Sequence, residues 1–175
     1  MGAAGSFFSD IGVDVAWCHP EVPMAHPLDD GTAAVLLRSV GETADANDSP
    51  RWRRYVEPVA QRWGRVESDL LGAPADGARH PLDLMRLGVR AAPPATAVAR
   101  WPGSEQAAAL FCGVAAHGNT NLSWPLSASA ALGLVAAGHV GGWPAVVGGT
   151  GVLADAMVAR LVELGGEVRC GQEVR

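Results

Sequence analysis

Lysine is absent from this chain: all thirteen of its basic side chains are arginine. That absence excludes a Schiff-base lysine, the lysine of a phosphate-binding loop and a Tyr-Lys proton relay. Cysteine is scarce. Cys18, Cys112 and Cys170 are odd in number and lack any CxxC or Cys/His ligand spacing, so neither a disulfide framework nor a metal site is expected. A reducing cytoplasm is therefore the expected compartment. A basic excess is missing too: the formal net charge of −5 argues against a non-specific nucleic-acid binder, and no nucleic-acid partner is expected. The N-terminus has no charged region followed by an apolar core, so no signal peptide is expected. Gly2 and Ser6 match a myristoylation pattern only loosely.

The most informative absence is of charge. From Gln106 to Ala154 there is no Asp, Glu, Lys or Arg. A run of that kind is expected to lie in a core, against an apolar ligand or in a membrane. Its longest apolar stretch, Ala128 to Gly138, is interrupted by Ser129 and falls short of the roughly 20 residues a span requires. No transmembrane segment is expected, which leaves peripheral membrane contact open.

Several elements are legible. Val13 to Trp17 reads as a strand, and the Asp30-Gly31 step before Thr32–Leu37 reads as a hairpin turn. Ser49-Pro50 opens a helix whose apolar face is Trp52, Tyr55, Val59, Trp63, Val66 and Leu70, kinked at Pro58. The Arg51, Arg53 and Arg54 group reads as its solvated face. A second helix spans Pro81 to Ala92. Ser104 caps a third, with Ala107, Leu110, Phe111, Val114 and Ala115 inward. Ser127 to Gly138 reads as a buried helix. A last helix carries Leu153, Met157, Leu161 and Leu164 on one stripe, stops at Gly165-Gly166 and leads to a strand from Glu167.

Gly149-Thr150-Gly151 and Ala154 satisfy the G-x-G-x-x-G/A spacing of a dinucleotide-binding loop. The strand before the loop is short, and the acid expected after the second strand is missing or is Glu173. A tight turn feeding a helix is the alternative.

Other residues have competing readings. His117 and His139 flank the uncharged helix as proton carriers or as hydrogen-bonded structural imidazoles. Trp124 and Trp143, each before a proline, are cavity walls or packing corners. Asp29-Asp30 reads as a turn. Ser127 and Ser129 lack a G-x-S-x-G elbow, and Cys112 reads as a core thiol.

The segments Ala109–His117, Pro125–Leu134, His139–Pro144 and Gly148-Gly149 with Leu153–Ala156 together resemble the middle of phytoene-dehydrogenase-like, FAD-dependent oxidoreductases. His26–Gly31 and Arg79–Leu82 resemble the same family in the same order. The resemblance covers nearly the whole chain, but not the family's N-terminal G-x-G-x-x-G or its C-terminal FAD-contacting segment.

It implies an α+β architecture, a helix-rich substrate-domain segment with a small mixed or antiparallel sheet. This would end in a helix–strand unit of an FAD/NAD(P)-binding fold, with residues 1–147 in the substrate domain and 148–175 returning to the flavin domain. By resemblance the cofactor is FAD, contacted by Gly148, Gly149 and Val174. An apolar, isoprenoid or polyene substrate would meet His117, Trp124, His139 and Trp143. No catalytic residue is singled out, and such a segment is not expected to be competent alone. Two other readings stay open: a small NAD(P)-binding protein using Gly149-Thr150-Gly151, with Arg175 near a 2′-phosphate, and a non-catalytic apolar-ligand or interaction module.

Overall fold

The Asp30-Gly31 turn does what its sequence dictates. In the computed structural model, which describes residues 7–72, 77–101 and 103–173, it joins strands β2 (Met24–Pro27) and β3 (Ala33–Leu36) in an antiparallel hairpin. Gly31 takes φ +81°, its N–H donates to the Leu28 carbonyl, and the Asp30 carboxylate accepts from the Thr32 amide and hydroxyl. This is a three-residue loop with glycine in the left-handed position.

The chain is α+β and helix-rich, with two two-stranded antiparallel sheets. It divides into two compact units, one formed by residues 1–20 with 143–175 and the other by residues 21–142.

In the 21–142 unit, α2 (Val40–Ala46) follows the hairpin and serves its open edge. The Asn47 side-chain amide accepts from the Val35 N–H (3.0 Å) and donates to the Val35 carbonyl (2.7 Å), as a neighbouring strand's backbone would. Four residues earlier, the Thr43 hydroxyl accepts from the Leu37 N–H at 2.9 Å. Thr43 on α2 and Asn47, its C-cap one turn later, are both fully buried and supply the second edge of β3.

The long helix expected after Pro50 forms as two, α3 (Pro50–Ala60) and α4 (Trp63–Leu71). Pro58 cannot donate to Arg54, and its ring crowds the preceding turn. Just beyond it, the Arg62 N–H turns to the Val59 carbonyl, and the Pro58 carbonyl accepts instead from the Arg62 guanidinium at 2.8 Å. Trp52, Val59, Trp63 and Val66 are buried as expected, Val56 joins them, and Leu70 is exposed.

Helices α5 (Pro81–Ala91), α6 (Ala95–Ala99), α7 (Glu105–Ala115) and α8 (Ala128–Gly141) complete this unit. Ser104 caps α7 by accepting from the Ala107 N–H, and all five expected inward residues of α7 are buried. Helix α8 accounts for the middle of the uncharged run. Ala128, Ala131 and Val135 pack with α3, α6, α7 and β3, while Leu132, Ala136 and Ala137 pack with α4 and α5. A helix covered on two sides leaves few positions at which a charge could be solvated; within α8 only Ser129 and Val140 are exposed. Among the described residues no helix is long and apolar enough to cross a membrane.

The other unit holds α1 (Phe7–Asp10), β1 (Trp17–Cys18), β4 (Ala145–Val146) and α9 (Thr150–Glu163). The expected strand over Val13–Trp17 shrinks to β1, which pairs antiparallel with β4. The Arg160 guanidinium donates to the Ile11 carbonyl and ties α9 to the turn after α1. The strand expected from Glu167 does not form; residues 167–173 are irregular and have no partner strand among the described residues. No residue of α9 is buried, and Met157, Leu161 and Leu164 of its apolar stripe are exposed.

Candidate functional site

The glycine loop sits between β4 and α9. Gly148 and Gly149 take φ +84° and +94°, a region side-chain-bearing residues avoid, and Gly149 is the N-cap of α9. A Cβ at Gly149 or Gly151 would meet nothing within 4 Å, so the backbone of this first turn is open to approach. The N–H donors of a helix N-terminus there suit an anionic oxygen such as that of a phosphate. β4 runs antiparallel to β1 and no strand follows α9, so no strand–helix–strand crossover is formed among the described residues. Val174 and Arg175 lie outside the described residues.

The four residues expected around a substrate are distributed differently. His117 is exposed in a 3-10 turn (Ala116–Gly118) after α7, its Nδ1 3.3 Å from the Gly113 carbonyl. Trp124 is 62 % exposed in the loop leading to α8, two residues before Leu126, which takes the strained φ of +68°. Ser127 anchors that loop: its buried hydroxyl accepts from the Ala95 N–H and bonds to the Leu122 and Trp124 carbonyls. His117 and Trp124 therefore belong to the N-terminal end of α8, whereas His139 lies eleven residues along it, ~16 Å away along the helix axis. Trp143 is half-buried and belongs to the other unit.

His139 is enclosed. The buried Trp52 indole N–H donates to Nε2 at 3.4 Å, which leaves Nδ1 to donate to the Arg38 carbonyl at 3.2 Å. Burial pushes its pKa below the usual 6.5, only partly offset by the Arg38 and Leu37 backbone contacts. The neutral imidazole is the folded form. Above pH 6.5 both folded and unfolded chains carry it neutral, and its contribution is intact. Below that pH the unfolded chain takes up a proton that the folded chain refuses. Stability should then fall with pH, by up to about 1.4 kcal/mol per unit, until the folded value is reached. Denaturant titrations at a series of pH values should show this slope, and His139→Gln should remove its share.

The 21–142 unit also contains a groove that sequence reasoning missed. Its volume is about 530 Å³, and it is lined by Tyr55, Val89, Pro93, Val98 and Trp101 together with Arg54 and Arg90. Tyr55 meets Trp101 edge-on at 5.6 Å between centroids, and its hydroxyl donates to the Arg90 carbonyl at 2.5 Å. Burial pushes the Tyr55 phenol up to about 12, against the pull of Arg90, so it is a neutral donor across the physiological range. Tyr55 and Trp101 are 46 positions apart in sequence, and only tertiary packing makes them one wall. The usable hint was Trp101, an aromatic outside any helical stripe.

Helix-rich α+β architecture is what the fold defines, with an open, glycine-capped helix in one unit and an aromatic groove in the other. Compared with known proteins, the chain matches no family model, no curated sequence and no solved structure.

Proposed function

We propose that this chain is part of an FAD-dependent oxidoreductase of the phytoene-dehydrogenase-like kind, acting on an apolar, isoprenoid or polyene substrate. The observation that carries the reading is the path of the chain. It enters a helical unit at residue 21 and returns at residue 143 to a unit built from its two flanks. The returning helix opens on Gly148-Gly149 and keeps its apolar side chains uncovered, as expected of a piece of a larger flavin domain. Gly148 and Gly149 would contact the dinucleotide. Bound flavin would supply hydride transfer, and the protein's part would be to hold and desolvate the substrate.

The Tyr55–Trp101 groove offers an apolar chain somewhere to lie, with the Trp124 loop as a second contact.

Two measurements test this. A linear polyene should quench tryptophan fluorescence saturably, and Trp101→Phe should remove most of the quenching. The purified chain should show no stoichiometric flavin absorption by itself. Tightly bound yellow flavin, or absence of an in-frame G-x-G-x-x-G in the DNA upstream of codon 1, would overturn the proposal.

A further inference from the structure

Five of the thirteen arginines gather around one carboxylate between α4 and α5. Asp83 is 8 % exposed, and three guanidiniums converge on it: Arg62 at 3.4 Å, Arg65 at 3.4 Å and Arg86 at 3.1 Å. Two hollows flank this hub, of about 220 and 410 Å³, both lined by Arg62, Asp83 and Arg86. Arg90 lines the first and Arg79 the second, and neither makes an ion pair among the described residues.

The nearby Asp69 stays ionised, but its carboxylate is engaged by other partners. Burial works against its carboxylate, but the amides of His80 and Arg79 donate to it and hold its pKa below the usual value; His80 Nδ1 lies 3.4 Å away. One carboxylate thus orders three guanidiniums and leaves most of their N–H donors unused.

An excess of positive charge around a hollow is relieved by a multivalent anion. Arginine forks match the paired oxygens of phosphate better than a point charge does. Beside the cleft, Leu82, Met85 and Val89 form a stripe on the outer face of α5, 62 %, 59 % and 71 % exposed. We infer that the α4–α5 cleft binds a phosphate-type anion, held by Arg65 and Arg86 with Arg62 and Asp83 as the fixed base. The apolar stripe fits a phosphate ester with an apolar tail. Such a group comes either from a dispersed amphiphile or from the headgroup of an anionic phospholipid. The inference does not depend on the flavin reading.

The test has two arms, applied to the full chain, to Arg65→Gln/Arg86→Gln and to Arg100→Gln, an exposed arginine outside the cleft. Calorimetric titration with inorganic pyrophosphate reads the soluble source. Flotation with phosphatidylcholine vesicles, with and without phosphatidic acid, reads the lipid source. Saturable pyrophosphate binding, weakened roughly tenfold in the double variant and unchanged in Arg100→Gln, supports the site with a soluble ligand. Flotation that requires phosphatidic acid and is lost only in the double variant supports it with a lipid headgroup. If the double variant does not fold, Arg65→Gln alone, on a side chain 61 % exposed, carries the comparison. Absence of binding in both arms, or equal weakening by Arg100→Gln, overturns the inference.

Discussion

Trp52→Ala is expected to destabilise the protein by about 4 kcal/mol, a large part of the 5–15 kcal/mol typical of a folded chain. Trp52 is 2 % exposed, meets Phe111 edge-on at 6.5 Å and donates its indole N–H to His139. Truncation would empty the space between α3, α7 and α8 and also leave a buried imidazole nitrogen unpaired. In a chain of 175 residues a loss of that size should lower the melting temperature by roughly 10 °C. Trp52→Phe separates the two effects. It keeps most of the volume and loses the hydrogen bond, so about 1–2 kcal/mol is expected. Thermal and denaturant unfolding of the three proteins checks the ordering; equal stability of wild type and Trp52→Ala would show that this cluster does not hold the unit together.

The second large effect concerns Asn47, a residue with no apparent role in the sequence. Asn47→Leu retains size and burial but removes both bonds to Val35 and the one to the Thr43 carbonyl. The Val35 N–H and carbonyl would be stranded beneath α2, and about 3 kcal/mol is expected. Thr43→Val should cost less, about 1–2 kcal/mol, because it strips a single hydroxyl from the Leu37 amide. Hydrogen exchange gives a sharper reading than melting. The Val35 and Leu37 amides should lose protection in their respective variants, whereas the Leu36 amide, which faces β2, should keep most of its own.

These two cases show what sequence reading can reach. The inward face of α7, the prolines opening α3 and α5, the Asp30-Gly31 turn and the buried character of α8 were legible because each is decided by chemistry within a few residues. The split of α3 from α4 was only half legible: Pro58 announces a disturbance, but the break depends on how the Arg62 side chain is used. Helices α2 and α6 escaped notice. They are short and mixed in composition, and they fold because neighbours cover them. The strand expected from Glu167 rested on its place after a helix, and a strand needs a partner that the described residues do not supply.

Site residues followed the same division. Gly148 and Gly149 were singled out by resemblance, and the structure adds that both take a positive φ that glycine adopts readily. His139 stood out as a polar residue in an apolar helix, but its enclosure by Trp52 and Arg38 depends on residues about 90 to 100 positions away. The arginine hub was hidden for a similar reason. Asp83 looks like an ordinary acid in a first helical turn until α4 brings Arg62 and Arg65 to it.

The way α2 serves β3 also bears on how the chain survives its own folding. Ala33 to Leu37 is a short, uncharged, β-prone segment of the kind that grows cross-strand assemblies once its amides are exposed. In the native protein one edge is taken by β2 and the other by two side chains. Until α2 docks, that second edge can template a neighbouring molecule. Thr43 and Asn47 act as a plug that closes a growth point, and their loss should show first as turbidity during refolding at high protein concentration.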